Sequence, residues 1–386
     1  MSFDIEAATA AYIDGLGEEA LAQAAAYTTG NQWLILWNLL VTAVIALIII
    51  RTGILTKAAD KLRNRSFAVR VFCVSAIYLT VSALLELPWS ILTGWWRETQ
   101  YGRTSQPLID FLGQGLLALA ISTLLASIFL VAIYAFIQKT KKRWWLWGGG
   151  FAGVFFACLL VIGPTYIAPL FNDYQPVPPG KVRDAVEAMA IEANIPTDRI
   201  FMYDGSRQSN NFTANVAGIG GAARIAISDV ALDEAQLDEV KAVTGHEIGH
   251  YVLGHIWDGV LLIVIVIMVS FFIANKAFNP VARLLGARQD IGDPTGLPVL
   301  LLLVSIIDVL AQPAATTLSR MNETEADHYS YEMVNLPDAM ASALVKTAEY
   351  RNPRPGTLEE WLFYTHPSVE RRVRAAMTWK ARHPDS

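Results

Sequence analysis

One short stretch of this sequence carries the residue types of a reaction centre: residues 244–250, Thr-Gly-His-Glu-Ile-Gly-His. His246 and His250 stand four apart, so on a helix their rings rise from one face about one turn apart. Two neutral imidazoles at that spacing suit a zinc ion, one per chain. Glu247, beside the first of them, is placed to take a proton from a water that the ion activates. The five-residue pattern fixes only three positions, and a solvated helix face can carry the same residues. The surrounding sequence has to decide.

A four-coordinate catalytic zinc needs a third protein ligand and one open position. Residues 320–327, Arg-Met-Asn-Glu-Thr-Glu-Ala-Asp, offer the carboxylates. Glu323 and Asp327 are four apart and share a helix face, so Glu323 is the candidate ligand. Asp327 is the candidate acceptor for the far nitrogen of a liganding histidine. Glu325 falls on another face. Without the histidine pair upstream, the same segment reads as a solvated acidic helix.

The elements that must position these groups are mostly apolar. Of 386 residues, 53% are hydrophobic and 17% charged, against about 25% charged in soluble chains. Mean hydropathy is +0.36. The 11 Trp and 13 Tyr suit a lipid–water boundary. The net charge of -5 comes without a basic block, which excludes a nucleic-acid partner of the usual electrostatic kind. Cys73 and Cys158 both lie in apolar runs, so no disulfide framework exists.

Residues 1–31 are Ala-rich and acidic without Lys or Arg, and read as one or two amphipathic helices outside the membrane. Apolar runs at 32–50, 70–93, 111–137 and 145–168 approach or exceed the ~20 residues of a spanning helix. Pro88 can kink or stop the second. From 169 the composition turns soluble: a helix over 180–194, then strands over 199–203, 212–218 and 224–228. A helix beginning near Asp233 is expected to run on through His255, directly into an apolar run at 256–274; another run, 297–310, is short for a span and extends to 315 if Asp308 is tolerated. Asp308 then lies at membrane depth, and Glu86 either does so too or sits solvated near the interface; carboxylates at that depth point to a polar cavity between helices. The predicted fold is mainly α, a polytopic transmembrane bundle of about six spans capped by a small α+β zinc metalloprotease domain. Its predicted divisions are 1–31, 32–168, 169–258, 259–315 and 316–386.

Several motifs in one order resemble the type I CAAX prenyl proteases and their prokaryotic relatives, which are integral-membrane zinc endopeptidases. His246-Glu-Ile-Gly-His-Tyr-Val-Leu-Gly-His255 resembles that family's H-E-x-G-H-x-x-x-G-H. Glu323 to Asp327 resembles its E-x-x-A-D, and Thr365-His-Pro-Ser-Val-Glu-Arg-Arg372 its terminal [ST]-H-P-x-x-x-x-R. Leu-Pro-Trp-Ser at 87–90 and Tyr-Ile-Ala-Pro-Leu-Phe at 166–171 match further typical stretches. The resemblance implies His246, His250 and Glu323 as zinc ligands, Glu247 as general base and Asp327 as support behind the ligands. It implies that His366 and Arg372 stabilise the oxyanion or anchor the floor of the site. It also implies that strand 212–218 pairs with substrate backbone through Thr213, Ala214, Asn215 and Gly218. Here the chain departs from the family, with Thr-Ala-Asn-Val-Ala in place of a more aromatic sequence. Eukaryotic members have seven spans, and the one without a counterpart here is the first.

The expected partners are a lipid bilayer and a peptide or protein substrate, either a prenylated C-terminal tripeptide or a damaged membrane protein. The expected location is a prokaryotic plasma membrane. Basic residues concentrate in loops 51–70, 138–144 and 276–288, against only Arg97 and Arg103 in loop 94–110. The positive-inside rule then places the catalytic segment outside the cytoplasm, whereas the eukaryotic relatives imply a cytosolic site. A rival from another class is a membrane transporter or binding protein with a structural zinc. Against it stands Glu247, since structural sites are closed by four ligands and keep no neighbouring base.

Overall fold

Apolar chain in a bilayer must satisfy its backbone polar groups internally, and here it does so as helices. The computed structural model describes residues 3–218 and 220–384. The first half contains α1 (Ile5–Asp14), α2 (Glu18–Thr52), α3 (Ile54–Lys61), α4 (Phe67–Ser90), α5 (Arg97–Gln100), α6 (Leu108–Thr140) and α7 (Trp144–Ile162). Pro88 does not end α4; the chain continues through a wider π-type turn, Ile91–Trp96, into α5.

Among the described residues, five helical stretches are long and apolar enough to cross a membrane. The sequence count of six differs because α6 and α7 fall in one stretch, Leu108–Leu170. They fold back on each other at Lys141–Arg143: Phe136 packs on Phe151, while Phe129 reaches Phe155 and Phe156, an antiparallel pairing.

After the first bundle segment come β1 (Tyr174–Pro176), α8 (Lys181–Glu192), β2 (Ile200–Tyr203), β3 (Ala214–Ala217) and β4 (Arg224–Ser228). The sheet order is β1-β2-β4-β3. β4 runs parallel to β2 and antiparallel to β3, with Ala214 opposite Ile227 and Ala217 opposite Arg224. β4 is buried along its whole length, whereas β3 is the half-buried edge. Gly218 ends β3 at φ +101, where an added Cβ would sit 2.4 Å from the Ala222 carbonyl oxygen. Only glycine closes this hairpin.

The chain then forms α9 (Asp229–Glu234), α10 (Leu237–Val252), α11 (His255–Leu285), α12 (Leu297–Val334), α13 (Pro337–Lys346), α14 (Thr357–Phe363) and α15 (Val369–Arg382). The single helix expected from Asp233 through His255 is therefore three. Ala235-Gln236 separates α9 from α10, where the Gln236 N–H donates to Glu239 Oε2 at 2.8 Å. Leu253-Gly254 separates α10 from α11, with Gly254 at φ +76. A left-handed residue cannot continue an α-helix.

Three cores hold the chain together: one in the bundle around Tyr134, Trp144 and Phe278, one between the sheet, α8 and α10, and one among α13, α15 and α1. The N-terminal helix thus docks on the C-terminal ones, with Arg374 on Glu6 at 2.9 Å and Arg354 on Asp14 at 2.7 Å. Inside the bundle, α7 and α11 meet through Gly149 and Gly153, where added Cβ atoms would strike Met268 and Val264. Small residues four apart are the usual means of close approach between helices in lipid.

A groove of about 660 Å³ lies among α2, α11 and α12, and Asp308 lines it with Asn38, Thr42, Ser305 and Gln312. Asp308 therefore borders this groove with four other polar side chains, although most of the lining is apolar and Asp308 is itself exposed. Glu86 is exposed on α4 and absent from the lining, so the two carboxylates do not share the cavity expected of them.

Candidate metal centre and active site

The site forms where α10 lies on α12. Gly245 and Gly249 make this approach possible. An added Cβ on Gly245 would meet Ser330 Oγ at 3.0 Å, and one on Gly249 would meet Tyr329 Cβ at 3.0 Å and Ala326 Cα at 3.2 Å. These glycines precede each histidine by one residue, so the close face and the liganding face adjoin. The Ser330 hydroxyl locks the pair by donating to the Ala242 carbonyl at 2.7 Å.

The approach brings His246 Nε2 to 3.3 Å from Glu323 Oε2, and His250 Nε2 to 3.4 Å from Glu323 Oε1. The two Nε2 atoms are 3.1 Å apart. One donor atom from each of the three residues falls within 4.8 Å of the others. Glu323 is buried, and its Oε2 has no hydrogen-bond partner among the described residues. A buried carboxylate faced by two imidazole nitrogens, with the Arg372 guanidinium no nearer than 3.6 Å to Oε2, is a favourable place for a cation. Two imidazole nitrogens and one carboxylate oxygen are also a donor set that catalytic zinc takes. The residues therefore fit the ion.

Behind the donors lies a second layer. Asp327 Oδ1 is 2.9 Å from His246 Nδ1. The Arg372 guanidinium, from α15, donates to both Asp327 oxygens at 2.6 and 2.8 Å, and all of these groups are buried. Burial works against a charged His246 ring, but Asp327 and Glu323 outweigh it and push its pKa up to about 9. Burial also pushes the Glu247 carboxyl up, opposed by the two histidines. His366 stands with Nε2 3.2 Å from Glu323 Oε1, and burial lowers its pKa to about 3. Its place is set by Arg320, which donates to the Glu360 and Tyr364 carbonyls at 2.9 and 2.6 Å, just before the Thr365-His366 turn.

Two openings flank the metal ligands. A pocket of about 180 Å³ is lined by Thr213, Ala214, His246, Glu247, His366 and Arg372, with Met340 and Leu344 at its apolar wall. A groove of about 380 Å³ on the other side is lined by Val216, Gly218, His250 and Glu323. It meets the bundle groove at Leu262 and Ala315. Edge strand β3 therefore borders both openings. Asn215, counted with the substrate residues in the sequence, lines neither.

Three residues escaped the sequence reading. Val216 is one. The Ser228 N–H donates to the Thr213 carbonyl at 2.9 Å, so by antiparallel alternation Asn215 and Ala217 bond inward. Ala214 and Val216 then present their backbone groups at the free edge. His255 is the second: its Nδ1 is 2.9 Å from His250 Nδ1. Glu325, expected to point away, is the third, since it faces His255 Nε2 at 3.2 Å. His255 was visible as part of a motif, but no spacing rule assigned it a partner.

Residues 176–380 match peptidase family M48, and residues 7–173 match the CAAX prenyl protease N-terminal region, described as five membrane helices. Among curated relatives, an uncharacterized metalloprotease of Bacillus subtilis, YhfN, is 28% identical, covering 79% of this chain and 72% of its own. The human CAAX prenyl protease 1 homolog is 27% identical, covering 78% of this chain and 72% of its own. Among solved structures, that of Ste24p from S. mikatae superposes with a TM-score of 0.78, at 19% identity, over 97% of this chain and 94% of its own.

Proposed function

Since the chain belongs to peptidase family M48 and is a membrane metalloprotease, we propose that it is a zinc endopeptidase cutting an extended peptide laid along β3. Family membership displaces the transporter reading. The observation that carries the proposal is the His246–His250–Glu323 donor set, with His246 and Glu323 buried, His250 half-buried and Glu247 on the pocket beside it. Zinc held there would act as a Lewis acid on the scissile carbonyl and ease deprotonation of the attacking water.

The chain's own groups would do the rest. Glu247 takes the water's proton and returns it to the leaving amine, and burial, which raises its pKa, makes it a stronger base for that transfer. His366, kept neutral, donates one hydrogen bond toward the developing oxyanion. Arg372 is committed to Asp327 and holds His246 through it, which supports its anchoring role. Ala214 and Val216 pair with substrate backbone, the Thr213 end of β3 borders the smaller pocket, and Gly218 turns the strand away.

The substrate class we infer is one with an apolar part in the bilayer, either a lipidated C-terminal peptide or a membrane-protein segment. The support is the groove leading from His250 and Glu323 into the bundle. The B. subtilis relative supports a prokaryotic plasma membrane, and the division between bundle and catalytic layer near residue 168 belongs to the same proposal. The test is cleavage in detergent of a farnesylated C-A-A-X peptide and its unlipidated twin by wild type and Glu247→Gln. Wild type is expected to cut, and faster with the lipid. Glu247→Gln is expected to keep zinc and lose about 10²–10⁴ in rate. Turnover retained in Glu247→Gln sinks the mechanism, and equal rates on both peptides sink the lipid preference.

A further inference from the structure

His250 and His255 are five apart, and in an unbroken helix residues so spaced point about 140° away from each other. Their rings nevertheless meet, with Nδ1 atoms 2.9 Å apart. The break at Leu253-Gly254 makes this possible. Gly254 adopts φ +76, α11 starts afresh at His255, and the first ring of α11 folds back onto the last turn of α10. A Cβ on Gly254 would come no nearer than 3.7 Å to Trp257 Cδ1, so the glycine serves the backbone angle rather than space. The fold places a left-handed residue here, and the outcome is a buried imidazole against a candidate metal ligand.

The direction of the hydrogen bonds follows from the geometry. His250 turns Nε2 toward His246 Nε2 at 3.1 Å and Glu323 Oε1 at 3.4 Å, so Nε2 is its ligating atom. A neutral imidazole ligating through Nε2 carries its proton on Nδ1. That proton points at His255 Nδ1, which must accept it. His255 then carries its own proton on Nε2, where Glu325 Oε2 lies 3.2 Å away. Each donor in the chain His250, His255, Glu325 meets an acceptor, and one tautomer of each ring satisfies the whole chain.

We propose that His255, braced by Glu325, is a positioning residue that fixes the tautomer and ring orientation of His250 for metal binding. It rests on the reading of His246, His250 and Glu323 as the metal ligands. The two histidine ligands are thus held differently. His246 leans on a buried carboxylate that Arg372 also grips, whereas His250 leans on a neutral ring and, through it, on a carboxylate at the surface. Partners of this kind set ligand basicity and orientation, and their loss costs about 10–100-fold in metal affinity.

The experiment is zinc affinity by chelator competition on the full chain in detergent, alongside thermal unfolding of the metal-free protein. H255A is expected to bind zinc about 10–100-fold more weakly. H255N, whose Oδ1 can accept where Nδ1 did, should stay within about threefold of wild type. E325A is expected to weaken binding, while E325Q, which keeps an acceptor oxygen, should not. H250A must abolish tight zinc binding; if it does not, the ligand assignment itself fails. If H250A abolishes it but H255A binds as wild type, the positioning role is overturned. Equal loss in H255N and H255A, with unfolding unchanged, also overturns it, since packing alone would then explain the effect. Should H255A not fold, the E325A and E325Q pair decides: equal affinity in the two refutes the chain.

Discussion

Replacing Arg372 by Met tests whether its main task is to hold Asp327. The guanidinium makes two hydrogen bonds to Asp327, at 2.6 and 2.8 Å, and sits 3.6 Å from Glu323 Oε2. Both partners are buried, at 7% and 3% exposure. Removing one member of a buried ion pair strands the other charge, at a cost of about 3–5 kcal/mol. Arg372→Met should therefore unfold at clearly lower temperature in detergent. Asp327→Leu should do the same and also weaken zinc binding about 10–100-fold, because His246 Nδ1 loses its acceptor. The informative protein is Arg372→Met with Asp327→Leu. An apolar pair of similar volume strands neither member of the Arg372–Asp327 pair, so the part of the lost stability that comes from that pair should return. Zinc affinity should not return, because the His246 acceptor is still missing. Thermal unfolding of the two singles and the double forms a double-mutant cycle, with zinc competition on the same samples. If the double variant is no more stable than the singles, the buried pair is not the origin of the loss. If zinc affinity recovers with stability, Asp327 does not support His246.

Other outcomes follow from the same geometry. Gly249→Val forces α10 away from Tyr329 and Ala326, and should cost about 1–3 kcal/mol together with zinc affinity. Gly150→Ala in α7, with nothing within 4 Å of the added Cβ, should instead stabilise by up to about 1 kcal/mol in the same unfolding assay. Val216→Pro removes one outward N–H from an edge strand that tolerates proline; peptide KM should rise with the fold intact, whereas Asn215→Pro, inside the β3–β4 ladder, should destabilise the sheet. Zinc binding should be proton-linked. The raised His246 pKa, about 9, favours the protonated ring in the metal-free site, so binding releases that proton below pH about 9. Affinity should then fall about tenfold for each pH unit lowered, and calorimetry in buffers of different ionisation enthalpy reads the proton count.

Local periodicity made much of this protein legible from its residues alone. Apolar runs of spanning length define the bundle helices, because bilayer-exposed backbone must bond within its own segment. Histidines four apart and carboxylates four apart declare two liganding faces, because helical geometry alone aligns them. The three strands over 199–228 were visible from equally local patterns. What the tertiary structure decided depends on residues far apart in the chain. The contact of α10 with α12 at Gly245 and Gly249 sets the distance between the ligand pairs. The bond from Arg372 to Asp327 joins residues 45 apart. The docking of α1 on α15 joins Glu6 to Arg374. The break at Gly254 was the hardest to foresee. Glycine permits a left-handed turn without requiring one, and the apolar stretch beyond it reads as continuing helix. Only packing of α11 against the bundle and of His255 against His250 selects the turn, so the sequence names the ligands while the fold determines what stands behind them.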